Sequence, residues 1–218
     1  MAALKGAFIN LGAGLLGALP NIVVFQFNPD RVTRTPSLVH PPPRMDGSGK
    51  RPASTQPDEP SQTISFSLRI DATDQLAQSN PIAAASGILP TLSAIELLMV
   101  PKSSLSIDLS SLSGSKSKPH QHPPQKLPTV LFFWGPFRIL PVSITTLSIT
   151  ETEYDLLLNP IRAEVSVSLH VLTPSQLNDA TLAIGAYKYS QGVKEVMAAL
   201  NLANAAQLGV SASLSLSF

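Results

Sequence analysis

Residues 128–173 constrain the fold of this chain more than any other stretch. An apolar run at residues 130–134 is followed by a Gly-Pro turn, and two segments of alternating apolar and polar residues come next, at residues 142–150 and 163–171. Alternation with a period of two indicates half-buried antiparallel strands, whereas a run that is apolar on both faces indicates a central strand covered on both sides. The stretch therefore predicts a three-stranded antiparallel meander.

The second strand of this meander carries an irregularity. Val142 and Ile144 lie in one phase of the alternation, whereas Leu147 and Ile149 lie in the other. A β-bulge inserts one extra residue into a strand, so the sequence predicts a bulge at Thr145-Thr146. Residues 137–140 predict the opening of this strand after the turn, and Pro141 predicts an edge position or a second irregularity. Residues 151–160 predict an acidic loop.

The N-terminal half adds further strands. Residues 3–11 and 21–27 predict a hairpin with a glycine-rich tip, which ends at Asn28-Pro29-Asp30 because proline cannot donate to a strand ladder. Residues 63–71 alternate cleanly and predict a half-buried strand. Together with the meander they predict a fold that is mainly β.

Two segments predict helices that flank the strands. Residues 81–99 have near-helical apolar spacing that Pro90 breaks or kinks, with residues 91–99 the firmer part. Residues 175–207 predict one long helix, capped by Ser175 or Asn178. Its apolar stripe comprises Leu182, Ile184, Tyr187, Val193, Val196, Met197 and Leu200.

Three segments of biased composition complete the chain. Residues 36–62 are polar and proline-rich, which fits either an arm that orders on a neighbour or a disordered surface loop. Residues 102–126 are rich in Ser, Lys, Pro and His, with a short edge strand possible at residues 105–109. Residues 208–218 alternate like a strand, which must pair either with its own sheet or with a neighbouring subunit.

Composition favours a protein that buries its surface against other subunits. Charged residues are 13% of the 218 residues, against a typical ~25%, and interface cores are depleted in charge. The net charge of +1 offers no strong field to nucleic acid or anionic lipid. Cysteine is absent, which excludes disulfides and thiolate chemistry and suits assembly in a reducing compartment.

The N-terminus resembles a secretory signal only superficially. Lys5 precedes an apolar stretch at residues 7–19, but Asn10 and several glycines interrupt it, and residues 19–21 make a poor cleavage site. No run approaches the ~20 apolar residues of a membrane helix. The sequence predicts neither a signal peptide nor a membrane-spanning segment.

A search for chemistry predicts no catalytic, cofactor or metal site. His120 and His122 lie in a proline-rich segment without a nearby carboxylate, and His170 lies on the polar face of a strand. The carboxylates cluster at predicted turns, which gives no sign of acids paired across a cleft. Trp134 could be a binding aromatic, but within its apolar run a core position is the better prediction. An enzyme is therefore the weakest of the functional classes.

Several short motifs, taken in order, resemble a known family. They are Phe27-Asn28-Pro29 at the end of a strand, Asp71 at the end of the next, residues 132–137 (Phe-Phe-Trp-Gly-Pro-Phe) at a turn, and Arg162 before the last strand. Over residues 3–172 the chain resembles the tube-adaptor proteins of extracellular contractile injection systems and related phage-tail baseplates. It departs from them at its end, where no LysM domain is evident.

The resemblance implies a tail-tube-like β-sandwich or barrel over residues 1–174, followed by a C-terminal helix and strand-like extension over residues 175–218. Six copies would form a ring whose sheets join into one inner β-barrel. The implied partners are the inner tube protein, the spike or hub protein, and baseplate or sheath components, with assembly in the cytoplasm. The residues expected to define the fold and the assembly are Phe25, Phe27, Asn28, Pro29, Trp134, Gly135 and Phe137.

The sequence leaves two alternatives open. Within the same class, the chain could be an inner tube protomer, although its long loops and C-terminal extension argue against compact repeating copies. In a different class, it could be a ligand-binding β-sandwich that recognises carbohydrate or peptide. Exposed aromatic side chains on a strand face would favour that second alternative.

Overall fold

The structure is a computed structural model that describes residues 4–11, 21–38, 60–100, 129–177 and 181–207. Seven strands form one sheet in the order β2-β1-β5-β6-β7-β4-β3, and every neighbouring pair is antiparallel. The strands are β1 (Ala7–Asn10), β2 (Ile22–Val24), β3 (Val32–Ser37), β4 (Ser61–Asp71), β5 (Val130–Phe133), β6 (Ile139–Tyr154) and β7 (Pro160–Val171).

The helices are short except for the last one. Between β4 and β5 lie α1 (Thr73–Ala77), α2 (Pro81–Ser86) and α3 (Leu89–Glu96), and after β7 a 3₁₀ turn (Pro174–Gln176) leads to α4 (Thr181–Gln207). The fold is therefore α+β and mainly β with flanking helices, as the sequence predicts. The sheet is not closed, because β2 and β3 lie at its opposite ends.

The predicted meander is confirmed as β5, β6 and β7. The bulge is confirmed as well, because Ile144 lies opposite Leu169 and Thr146 lies opposite Ser168, which leaves Thr145 without a partner position. After the bulge the phase of β6 has changed. Leu147 therefore stays on the core side of the sheet, as the alternation in the sequence requires.

The core lies on one face of the sheet and is centred on aromatic rings. Phe8, Phe66 and Phe132 come from three strands and Phe25 directly follows β2. The ring centroids of the four lie 5.0–6.4 Å apart. Burial of an aromatic side chain of this size contributes about 1.5–3 kcal/mol. The apolar residues of α3 cover the same face, with Ile95 fully buried.

Four differences from the sequence predictions concern the ends of elements. The predicted loop at residues 36–62 begins too early and ends too late, because β3 extends to Ser37 and β4 starts at Ser61; residues 39–59 lie outside the described residues. The predicted acidic loop at residues 151–160 is instead the end of β6 and a turn at residues 155–159. The second meander strand starts at Ile139 rather than at Phe137.

The helices also differ in detail. The break predicted near Pro90 is confirmed, because residues 81–99 divide into α2 and α3. Pro90 itself lies in the first turn of α3, where its missing N–H costs nothing. Residues 73–77 form α1, so Asp74 is helical rather than part of a turn. The described long helix begins at Thr181, and Ser175 lies in the 3₁₀ turn, whose cap is Thr173. Asn178, residues 102–126 with their possible strand, and residues 208–218 lie outside the described residues.

Pro141 occupies an interior strand, contrary to the prediction of an edge or irregularity. It pairs in regular register with Leu131 of β5, and its carbonyl accepts a hydrogen bond of 2.8 Å from the N–H of Leu172, the residue after β7. The N–H that proline lacks would therefore fall at the end of the β6–β7 ladder. The loss of one bond at a ladder's end explains why the strand tolerates proline here.

Candidate assembly surface

The face of the sheet opposite the core is lined by hydroxyl groups. We call it the serine–threonine face, and its rows run across β6, β7, β4 and β3 in matched register. The Ser67 and Ser166 hydroxyls lie 3.1 Å apart on it. Its members are Thr33, Thr35, Thr63, Ser65, Ser67, Thr146, Ser148, Thr150, Ser166 and Ser168.

The four strands that carry this face have an open edge on each side. In the described part of the chain, β3 pairs only with β4, and β6 pairs with β5 only through residues 139–142. From Ser143 to Tyr154 the outer side of β6 therefore has no strand beside it among the described residues. Unpaired strand edges present rows of N–H and C=O groups that can pair with another chain.

A groove of about 760 Å³ lies over the serine–threonine face. One wall is formed by the segment that links β2 to β3, and charged groups from Lys5, Arg69 and Glu164 line the groove as well. Arg69 and Glu164 occupy opposite positions on β4 and β7. With Asp30 and Arg31 of the linking segment, three cations and two carboxylates line the groove, so its charge is close to balanced.

Two side-chain amides tie the β2–β3 link to both halves of the open sheet. The Gln26 amide accepts a hydrogen bond from the Asp71 N–H (2.9 Å) and donates one to the Asp71 carbonyl (2.6 Å). The Asn28 amide accepts from the Gly6 N–H (2.9 Å) and donates to the Leu4 carbonyl (2.8 Å). Each amide thus replaces the strand that would otherwise pair with these backbone groups.

The carboxylate of Asp71 joins this link to an ionic network. Arg162 donates from Nε to Asp71 at 2.7 Å and also pairs with Glu153, while Thr73 donates to Asp71 from its N–H and its hydroxyl. Burial by itself would raise the pKa of Asp71, but the hydrogen bonds from Thr73 and Arg162 lower it below its ordinary value. The pKa of Arg162 is raised by the same pair.

The residues predicted to define the fold occupy two kinds of position. Phe25 is buried in the aromatic core, and Trp134 is half-buried and stacks on Phe132 with ring centroids 5.9 Å apart. Gly135 has a φ of +80°, which favours glycine, in the turn where the Trp134 N–H donates to the Arg138 carbonyl. These three positions are structural, and they explain why the sequence around the turn is specific.

The remaining predicted residues lie on the surface. Phe27 and Phe137 are exposed, and Pro29 lines the groove. The Asn28 amide is hydrogen-bonded to the backbone of Leu4 and Gly6, just before β1. The structure brings Phe25 and Trp134 into contact with each other but leaves Phe137 apart from them as an exposed side chain. The role of these residues in assembly remains a prediction.

Strand β3 and the roles of Gln26 and Gly6 were not predicted from the sequence. β3 has the sequence Val-Thr-Arg-Thr-Pro-Ser, and a single apolar residue gives no periodic pattern from which a strand could be predicted. Gln26 carries no signal until its partner Asp71 is known to be near. Gly6 packs between the rings of Phe25 and Trp134. A glycine before an alternating segment does not reveal such a contact, because the two rings come from distant parts of the sequence.

We searched the described residues for groups that could bind a metal ion and for helices that could span a membrane. They contain no group of three or more His, Asp or Glu residues that could hold a metal ion. None of the described helices is both long and apolar enough to cross a bilayer. The Nδ1 atom of His170 in β7 lies 3.5 Å from the hydroxyl of Ser61, the first residue of the neighbouring strand β4.

Comparisons with known proteins give a weak likeness to solved structures. No protein-family model matches the chain, and a search of curated proteins gives no match. Among solved structures, the chain is similar to a protein in the tail of an empty GTA particle, determined with helical refinement and C6 symmetry, at 12% identity and a TM-score of 0.24 over 66% of this chain and 75% of that one. That structure is a tail particle, the broad class that the sequence resemblance implies, but an overlap of this quality carries no argument about this chain.

Proposed function

We propose that this protein is a structural subunit of a contractile injection system or phage-tail-like particle. Six copies form a ring that connects the spike hub or baseplate to the inner tube. The observation that carries this proposal is the four-stranded portion of the sheet, which presents hydroxyl groups on one face. Among the residues that the structure describes, this portion is open along β3 on one side and along β6 on the other.

Pairing of these two edges between copies would make the sheets continuous. Strands about 4.8 Å apart and tilted by about 40° would close six four-stranded portions into a barrel about 50 Å across the backbone. The serine–threonine face fits the inner side of such a barrel, because hydroxyl groups are hydrated without adding net charge. The apolar core would then remain on the outer side, inside each subunit.

The mechanism that we propose is templating. A ring presents a fixed circle of binding surfaces, so the first copies of the tube protein bind to a site that is already organised. The entropic cost of forming the first tube ring is thereby lowered. We infer a structural rather than catalytic role, assembly in the cytoplasm, and contacts between adjacent layers made by residues 36–62 and 102–126.

Negative-stain electron microscopy of the purified chain tests this proposal. We expect rings of sixfold symmetry with a central lumen, whose width is the barrel diameter reduced by the inward side chains, or about 40 Å. Uniform monomers at all concentrations would contradict the proposal. Rings that stack into long tubes without any other protein would favour the inner tube protomer instead.

The groove supports one candidate from a different class. Phe27 is exposed and lies in its wall beside Lys5 and Arg69, and an aromatic ring next to polar groups is a common feature of carbohydrate and peptide sites. Binding of a glycan or peptide by the monomer, lost on Phe27→Ala, would favour this candidate. Rings that bind none of these ligands would exclude it.

A further inference from the structure

The turn between β6 and β7 presents three leucines to solvent. The exposed fractions of Leu156, Leu157 and Leu158 are 103%, 76% and 79%. The turn is held by Asp155, whose Oδ1 accepts hydrogen bonds of 2.8 Å from the N–H groups of Leu157 and Asn159. We call residues 155–159 the leucine tip.

The backbone of the leucine tip makes the choice of leucine unusual. Leu158 has a φ of +64°, a conformation that favours Gly or Asn. The Asn159 amide also donates to Asp155 at 2.8 Å, which fixes the turn further. Three apolar side chains on an ordered, exposed turn are costly unless another surface covers them.

A second apolar surface lies on the C-terminal half of α4. Ser190 anchors the helix to the start of β6 by accepting from and donating to the backbone of Ile139. Beyond this anchor, every residue from 194 to 204 is exposed. Val196, Met197 and Leu200 nevertheless follow one stripe of this segment at helical spacing, so this half of α4 is an apolar helix without a partner among the described residues.

The two apolar surfaces cannot meet within one copy. The leucine tip lies at one end of the 16-residue strand β6, and α4 is anchored at the other end, near Ile139. At about 3.3 Å per residue, the two ends are separated by roughly 50 Å. Contact between them therefore requires a second copy placed end to end with the first.

The charges around the two surfaces are complementary. Three acidic residues lie in or just before the leucine tip, Glu151, Glu153 and Asp155, of which Glu153 pairs with Arg162. Cations collect at the base of the exposed half of α4. Partial burial and the nearby guanidinium groups of Arg34 and Arg138 lower the pKa of Lys194, and burial together with Arg34 lowers that of Arg138.

These cations form a corner with the apolar helix. Ser190, Lys194 and Met197 follow one another at helical spacing on the side of α4 that faces the sheet. The cations and Met197 therefore lie on both sides of the cleft where α4 meets the start of β6. Glu195, the one acid in this part of the helix, lies about 100° further round. The corner is therefore both apolar and positively charged.

We propose that the leucine tip of one copy docks into the corner between α4 and the start of β6 of the next copy. Such a contact uses different surfaces on the two partners, so it repeats along an axis instead of closing a dimer. It would join successive layers of subunits, whereas the strand edges would join copies within one ring. The inference does not depend on the ring.

Cysteine cross-linking tests this contact, because the chain has no cysteine of its own. Three single variants of the full chain are needed: Leu157→Cys at the tip, Met197→Cys in the corner, and Ile82→Cys as a control whose exposed fraction of 64% is similarly high. All three positions are exposed, so folding should be preserved. Mixtures are oxidised and separated on a non-reducing gel.

We expect the mixture of Leu157→Cys and Met197→Cys to accumulate a disulfide-linked dimer that neither variant forms alone. The mixture of Leu157→Cys with Ile82→Cys should form none above background. Dimers of Met197→Cys alone would indicate that two α4 helices pair with each other, and would overturn the proposal. A tip–corner yield no higher than that of the control would overturn it too, whether or not rings are seen by microscopy.

Discussion

Gly6 shows how closely single residues limit this core. A Cβ atom at this position would lie 2.6 Å from a ring carbon of Phe25 and 2.9 Å from one of Trp134. Both neighbours are rings packed against further rings, so neither can move without disturbing the aromatic cluster. The chain can therefore approach these rings just before β1 only because residue 6 has no side chain.

We expect Gly6→Ala to lower the free energy of unfolding by about 1–3 kcal/mol, the usual cost of overpacking. Chemical denaturation monitored by Trp134 fluorescence measures the change. Gly192→Ala is the matched control, because a Cβ there meets nothing within 4 Å. It should raise stability by up to about 1 kcal/mol through helix propensity. Equal stability of Gly6→Ala and the wild type would show that the rings have room to yield.

The position of a residue was predictable from the sequence where the residue type alone determines it. Phe25, Trp134 and Gly135 could be assigned to core and turn because rings bury area and a turn uses glycine. Gln26 could not, because its amide matters only through the backbone of Asp71, 45 positions away. A leucine at positive φ, such as Leu158, is likewise invisible to any rule based on residue type.

The β-bulge is the clearest feature at the scale of elements. Thr145 has no partner position on β7, although its hydroxyl donates to the Ser168 carbonyl at 3.0 Å. Removing Thr145 would therefore join two stretches that already pair in matched register. Removing a residue further along the strand, such as Ser148, would instead turn the next side chains of β6 to the other face.

Deletion of Thr145 should be tolerated, with a loss in the free energy of unfolding of about 0.5–1.5 kcal/mol for the missing hydrogen bond. Deletion of Ser148 is the control. It should cost more, up to about 3 kcal/mol, because it turns the partly buried Ile149 away from the core. Thermal or urea unfolding compares the two. Equal costs for both deletions would mean that β6 is not held in this register.

The Asp71–Arg162 pair makes a second prediction for elements, because it joins the end of β4 to the start of β7. The pKa of Asp71 is lower in the folded chain than its ordinary value of 3.8, so its ionised form contributes stability above that value. The contribution is lost as the pH falls through the lower, folded pKa. At pH 7, Asp71→Asn should cost up to about 1 kcal/mol, because the pair is partly exposed.

Denaturation of wild type and Asp71→Asn between pH 7 and pH 2 measures this linkage. The difference between the two should be constant at neutral pH and shrink below about pH 4. Glu96→Gln, which changes an exposed carboxylate on α3, is the control and should show no comparable difference at pH 7. A difference between wild type and Asp71→Asn that persists at pH 2 would show that the carboxylate charge is not its source.

Elements were predictable where the apolar pattern is long. The period of two in β4, β6 and β7 identified these strands, and the phase slip identified the bulge. In contrast, β3 has one apolar residue and lies at an edge, so its structure comes from pairing with β4. The end of β6 was missed because Glu151 and Glu153 read as a turn, although at a sheet end exposed carboxylates are well hydrated in a strand.

At the scale of the whole molecule, the sheet is open and its two ends are bridged by side chains. The segment between β2 and β3 passes from one end to the other, and the amides of Gln26 and Asn28 complete its contacts. Within the described ranges, no strand pairs with the outer edge of β3 or with the outer edge of β6 beyond Val142. The architecture was predictable as mainly β, but strand order was not, because it depends on pairings distant in sequence.

Hydrogen–deuterium exchange tests most directly whether identical copies close these two edges. Exchange is compared between dilute protein, at the 23.1 kDa monomer mass, and concentrated protein that has assembled. We predict slower exchange in Val32–Ser37 and in residues 143–154 on assembly, with no change in Pro81–Ser86. Unchanged exchange at both edges, with a monomer mass at every concentration, would contradict the account.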